Sequence, residues 1–72
     1  MNQKVNSLLI EAGANSKYVN ESKITFEELG MMYIEKLFFF NLIEEKYGVS
    51  IDKQVEDSIK SPHEIVRIIG IN

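Results

Sequence analysis

The 72-residue chain contains no cysteine and no tryptophan, a single proline, a single histidine and four glycines. A domain this small usually needs disulfides, a structural metal or close helix packing to stay folded. The absence of cysteine excludes disulfides and every thiolate metal site. One histidine cannot build an imidazole cluster, so apolar packing must carry the stability. Long apolar runs are also missing. Nothing approaches the roughly 20 residues of a membrane-spanning helix, and Met1-Asn2-Gln3-Lys4 leads into a short mixed segment without the apolar stretch of a signal peptide. These absences predict a cytoplasmic protein with no membrane partner.

Positive charge is scarce as well. Eight Lys and Arg stand against eleven Asp and Glu, for a net charge of −3, and the basic residues are scattered singly. No stripe can track a phosphate backbone, so nucleic acid is not an expected partner. The chain carries no Gly-rich phosphate loop, nucleophile elbow or metal-ligand spacing, which predicts a non-enzymatic protein with no cofactor and no metal.

What is present is an ordinary globular composition, 44% apolar and 26% charged, spread over one domain covering residues 1–72. Val5, Leu8, Leu9 and Ala12 recur at helical spacing, with Asn2 placed as an N-cap and Gly13 as a terminator. Residues 14–23 are mostly small or polar and read as a long packed loop, anchored to a core by Tyr18 and Val19. Thr25-Phe26-Glu27-Glu28 has the form of a capping box. Residues 29–46 form the longest periodic stretch, closed by Tyr47 and Gly48. Residues 52–58 form a short segment around Val55 and Ile59. Ser61-Pro62-His63-Glu64 combines an N-cap serine, a proline at the first helical position and an acid three residues after the cap. The apolar run Ile65, Val66, Ile68 and Ile69 then makes a last helix, stopped by Gly70. Helices are expected at 3–12, 30–46, 53–58 and 62–69, an all-α four-helix bundle.

Turning residues roughly 100° apart around the long helix places Leu29, Met32, Phe39, Phe40, Ile43 and Tyr47 in a core sector. Lys36 lies at its edge, with its stem packed and its ammonium in water. Ile34, Leu37 and Phe38 fall on the opposite side with Asn41, Glu44 and Glu45, an apolar patch edged by acids. Three adjacent apolar residues facing outward suggest a partner surface; coverage by the loop at 14–23 is the alternative. His63 is expected to be an exposed helix-start residue. Neighbouring carboxylates, such as Glu27/Glu28, Glu44/Glu45 and Glu56/Asp57, diverge on a helix and form no acid–base pair. Tyr33 could pack in the core, touch a partner or carry a covalent group.

Phe26-Glu27-Glu28-Leu29-Gly30, then Ile34, then Ile43-Glu44-Glu45-Lys46-Tyr47-Gly48-Val49-Ser50-Ile51 resembles the acyl and peptidyl carrier proteins. Their pattern runs F-x-E-L-G-x-D-S-L, a helix, then L-E-E-x-F-G-I-x-I. The resemblance continues without a gap through Ile59, Ser61 and the closing Ile65-Val66-Arg67-Ile68-Ile69. Residues 1–25 match only as a helix followed by a long loop. The resemblance implies a small four-helix bundle of acyl-carrier-protein type whose second helix docks on biosynthetic enzymes. It also implies an exposed primary alcohol at the start of that helix, which a transferase would use to attach phosphopantetheine. Here Met32 stands in place of the family's aspartate and Tyr33 in place of its serine, so that alcohol is missing. A phenol differs in reach, acidity and direction.

Three functions are compatible with these features. The first is a carrier-like module without the prosthetic group, docking on a biosynthetic enzyme through Ile34, Leu37, Phe38, Asn41, Glu44 and Glu45. The second is a working carrier modified at an atypical residue. The third is a small acidic helical protein that self-associates, for instance as a homodimer, or inhibits a basic partner.

None of Ser7, Ser16, Ser22, Ser50, Ser58 or Ser61 aligns with the carrier serine. Incubation with a promiscuous phosphopantetheinyl transferase and coenzyme A should therefore leave the intact mass unchanged. Stoichiometric addition of the arm would reinstate the group-carrier function.

Overall fold

The computed structural model describes residues 3–70 and is all-helical there, with no strand among the described residues. Four helices follow in order: α1 (Gln3–Ala12), α2 (Tyr33–Tyr47), α3 (Lys53–Ser58) and α4 (Glu64–Ile68). Asn2, expected to cap α1, lies outside the described residues.

α1 turns Val5, Leu9 and Ala12 into the core, with Leu8 packed at its margin. It ends in a Schellman motif: the Gly13 N–H donates to the Ile10 carbonyl at 3.1 Å and the Ala14 N–H to the Leu9 carbonyl at 2.9 Å. Gly13 has φ of 118°, open to glycine without strain. A Cβ at Gly13 would also meet the Glu35 carboxylate of α2, which would have to shift to make room. The two helices pack on each other.

The long connection is packed, as expected, with Val19 as one of its two expected anchors in the core and further residues beside it. Val19, Ile24, Phe26 and Leu29 are buried. Tyr18 does not anchor the loop; it is exposed, with the Lys17 ammonium 5.7 Å from its ring centre. The anchoring is shared with a polar contact, in which the buried Asn6 of α1 donates to the Asn20 side chain at 2.6 Å. The Thr25 capping box is complete: the Glu28 N–H donates to Thr25 Oγ1 and the Thr25 N–H to Glu28 Oε1, both at 3.0 Å. It closes a single turn that breaks at Gly30 (φ 75°), not the first turn of the long helix.

α2 therefore begins at Tyr33 rather than at residue 30. A second start signal sets it, the Met32 N–H donating to Glu35 Oε1 at 2.7 Å. The helical rotation does not extend back past residue 33, and Met32, expected in the core, is 70% exposed, while Met31 is buried in its stead. Phe39, Phe40 and Ile43 are fully buried, as the periodicity predicts. Leu29 is buried too, though from the preceding turn. Phe26, Phe39 and Phe40 form a triangle of tilted rings, with centroids 5.7, 5.7 and 5.5 Å apart. Lys36 is half-buried and holds its ammonium 5.3 Å from the Phe26 ring centre, a cation–π contact in addition to the expected snorkelling. α2 ends at Gly48, whose φ is 64°.

α3 contributes Val55 to the core margin and leads to the fully buried Ile59. α4 starts two residues later than expected, through tight i to i−3 bonds from Glu64, Ile65 and Val66 to the carbonyls of Ser61, Pro62 and His63 at 3.1, 3.2 and 3.3 Å. Ser61 Oγ does not cap it; the hydroxyl donates instead to the Ser22 carbonyl at 3.4 Å. His63 is not a solvent-exposed helix-start residue either. It is half-buried, with Nε2 2.6 Å from the Val19 carbonyl. In both cases the long connection supplies the partner that a local pattern cannot show.

Phe38 and Phe40, two residues apart, should respond oppositely to charge. Phe40→Glu should abolish cooperative unfolding in urea. Even truncation of such a buried ring costs about 3–5 kcal/mol, comparable with the whole stability of a domain this size. Phe38→Glu, at a position 46% exposed, should shift the midpoint little. Equal destabilisation by the two would mean that Phe38 is a core residue.

Candidate functional site

The start of α2 carries an unusual concentration of exposed apolar surface. Met32 is 70% exposed, Tyr33 59%, Ile34 72% and Phe38 46%. Among the described residues, the other large exposed apolar side chains, Ile10, Tyr18 and Ile68, are well separated in sequence. The loop at 14–23 therefore does not cover this face. Leu37, expected outside the core sector, is half-buried. It joins the patch at its edge.

Further along the helix, Phe38, Asn41, Leu42, Glu44 and Glu45 border a shallow depression of about 370 Å³. Asn41 and Glu45 are exposed. Glu44 is not a free rim acid: it is half-buried, and its Oε2 accepts the Ile51 N–H at 2.7 Å, tying the end of α2 to the segment before α3. The geometry thus brings Ile34, Phe38, Asn41 and Glu45 to one accessible helix surface, with Leu37 and Glu44 partly withdrawn. Met32 belongs to the patch although periodicity assigned it to the core. The local signal for this was present in Gly30 followed by Glu35, which together mark a helix beginning after residue 32.

Phe38 belongs to both the patch and the depression, whereas Tyr33 lies at the start of the helix. The exposure of Tyr33 excludes the core alternative. Its phenol oxygen accepts from Lys53 Nζ at 2.6 Å, the same ammonium lies 5.3 Å from the ring centre, and that ammonium is also 3.4 Å from Asp57 Oδ1. Lys53 is exposed, and the hydrogen bond it donates to Tyr33, with the one it donates to Asp57, raises its pKa above the ordinary 10.5. An exposed ion pair of this kind contributes little to stability. What it does is link the beginning of α2 to α3. Lys53 is twenty residues from Tyr33 in sequence, and no local pattern pointed to it.

The described residues hold no group of three His, Asp or Glu side chains placed for a metal. Among the neighbouring acids, Glu28 serves the capping box and Glu44 the Ile51 amide. Among the described residues, no helix is long and apolar enough to cross a membrane. No protein-family model matches the chain, and neither the curated proteins nor the solved structures provide a significant match.

The Lys53 contact has a definite pH signature. A lysine whose folded pKa is raised adds stability that is fully present below its unfolded value of 10.5 and is lost as pH rises through the folded value. Side-chain NMR of Lys53 should give a midpoint above 10.5, moving back toward it in Tyr33→Phe, which removes only the oxygen. A midpoint indifferent to that change would show that the phenol does not hold the ammonium.

Proposed function

We propose that the protein is a non-enzymatic, carrier-protein-like docking module that binds a partner protein through α2. The observation that carries this reading is the clustering of four exposed apolar side chains, Met32, Tyr33, Ile34 and Phe38, within one seven-residue stretch. Soluble domains seldom leave such a patch uncovered without an interaction to make. Asn41 and Glu45 give it a polar rim, the arrangement common in protein interfaces. Support for the carrier-like part comes from the order of elements: a helix, a long packed loop, a longer helix ending at Gly48, and two short helices. That order agrees with what the resemblance implies for a bundle of acyl-carrier-protein type, in which the docking helix would correspond to α2, the helix that carries the patch. On this reading the partner is a cytoplasmic biosynthetic enzyme. Met32 and Tyr33, at the carrier-serine site, serve contact rather than attachment of a prosthetic group.

Tyr33 and Phe38 are the side chains best suited to anchor a contact, being large, aromatic and already presented on a helix. Replacing Phe38 with Glu would bring a charge into a surface that must lose water on binding, a change worth about 2 kcal/mol or more at a central position. Affinity capture from the native host with the wild-type chain, beside Phe38→Glu and Ile34→Glu, should recover a stoichiometric partner that both variants lose. Sedimentation of the purified chain distinguishes the homodimer, which would give a concentration-dependent mass abolished by the same substitutions. A monomer whose captured proteins are the same in all three forms would overturn the reading.

A further inference from the structure

Positive charge gathers in an open cleft of about 790 Å³ between residues 22–25 and 60–67. Lys23, Lys60 and Arg67, three of the chain's eight basic side chains, line it beside His63, whereas Glu64 is the only one of the eleven acids to do so. The cleft is thus locally cationic on a molecule of net charge −3. In sequence these cations are isolated single residues; folding assembles them. Val66 adds an apolar side chain to the lining, and lysine and arginine carry methylene stems that can pack against apolar groups.

The two walls come from distant parts of the chain and are tied together. The Phe26 N–H donates to the Lys60 carbonyl at 3.0 Å, His63 Nε2 lies 2.6 Å from the Val19 carbonyl, and Ser61 Oγ reaches the Ser22 carbonyl at 3.4 Å. Phe26, Val19 and Ser61 are all buried, so these ties rest on the core. A surface held in place before its ligand arrives gives up little conformational entropy on binding. No residue of α2 lines the cleft. It is a second surface, separate from the patch around Phe38.

We infer that this cleft docks an acidic peptide segment of a partner protein, with carboxylates interspersed among apolar side chains. Charge complementarity selects that occupant. Three cations against one acid attract carboxylates and repel basic segments, while Val66 and the cation stems favour apolar side chains between them. The chain then has two faces of opposite character, an acid-edged apolar helix and a cationic cleft, and can hold two proteins at once.

Fluorescence anisotropy with a labelled peptide of alternating Glu and Leu, and a Lys–Leu peptide as control, tests this on the full chain. The acidic peptide should bind and the basic one should not, with affinity falling as salt rises. Lys60→Glu combined with Arg67→Glu should weaken binding at least tenfold, about 1.4 kcal/mol, while Phe38→Glu leaves it unchanged. Lys60 and Arg67 are exposed, and circular dichroism checks that the variant is folded. Should it unfold, Lys60→Gln and Arg67→Gln, taken singly, report the same contacts through smaller losses. Equal binding of both peptides, no binding of the acidic one, indifference to Lys60 and Arg67, or displacement by equimolar inorganic phosphate would each overturn the inference. None of these outcomes touches the reading of α2, which rests on other residues.

Discussion

Three phenylalanine rings hold this domain together. Phe26, Phe39 and Phe40 meet with centroids between 5.5 and 5.7 Å apart, and none is more than 5% exposed. A chain of 72 residues without cysteine has few other means of joining distant segments. Side chains of this size bury more apolar area than any others it owns. Phe26 belongs to the connection and the other two to α2, so their contact is long-range and determines how the loop crosses the helix. The consequence spreads from there. The Phe26 N–H engages the Lys60 carbonyl, which draws the segment before α4 against the same loop, where His63 and Ser61 add their bonds to Val19 and Ser22.

Placing Phe39 and Phe40 inward obliges Phe38 to point outward, since successive helical residues turn by about 100°. The exposed apolar stretch at the start of α2 is therefore partly a geometric partner of the core. Ile34, one helical turn before Phe38, extends the same surface. The charge pattern follows the same division. Asn41 and Glu45 edge the α2 face, while Lys23, Lys60 and Arg67 collect in the cleft behind the loop. A net charge of −3 conceals this separation, because composition averages over a surface that folding partitions.

Much of the architecture was legible because its signals are local. The bounds of α1 and α3 follow from periodicity and flanking residues. Thr25 and Glu28 form the capping box that their spacing announces, and Gly48 ends α2. The expected start of α2 at residue 30 was wrong because an apolar run continued across a break. Gly30 and the Glu35 bond to Met32 overrode that periodicity and moved Met32 from core to surface. Tyr18, His63, Ser61 and Glu44 were each misjudged for another reason. Their environment is set by residues far away in sequence, or, for Tyr18, by which of two neighbouring side chains the core could accommodate.

By itself the sequence determined the helical class, the ends of α1 and α2 marked by Gly13 and Gly48, and the inward rank of Phe39, Phe40 and Ile43. It also supplied the whole of the carrier-protein resemblance. These are consequences of chemistry acting within a few residues. Only the tertiary structure decided that Lys53 would reach Tyr33, that Glu44 would be taken up by the Ile51 amide, and that three scattered cations would share one cleft. Such pairings depend on where the chain returns after a loop. That is set by the joint packing of the phenylalanine triangle with α1 and Ile59, Ile65 and the other buried residues, and no short stretch of sequence contains it.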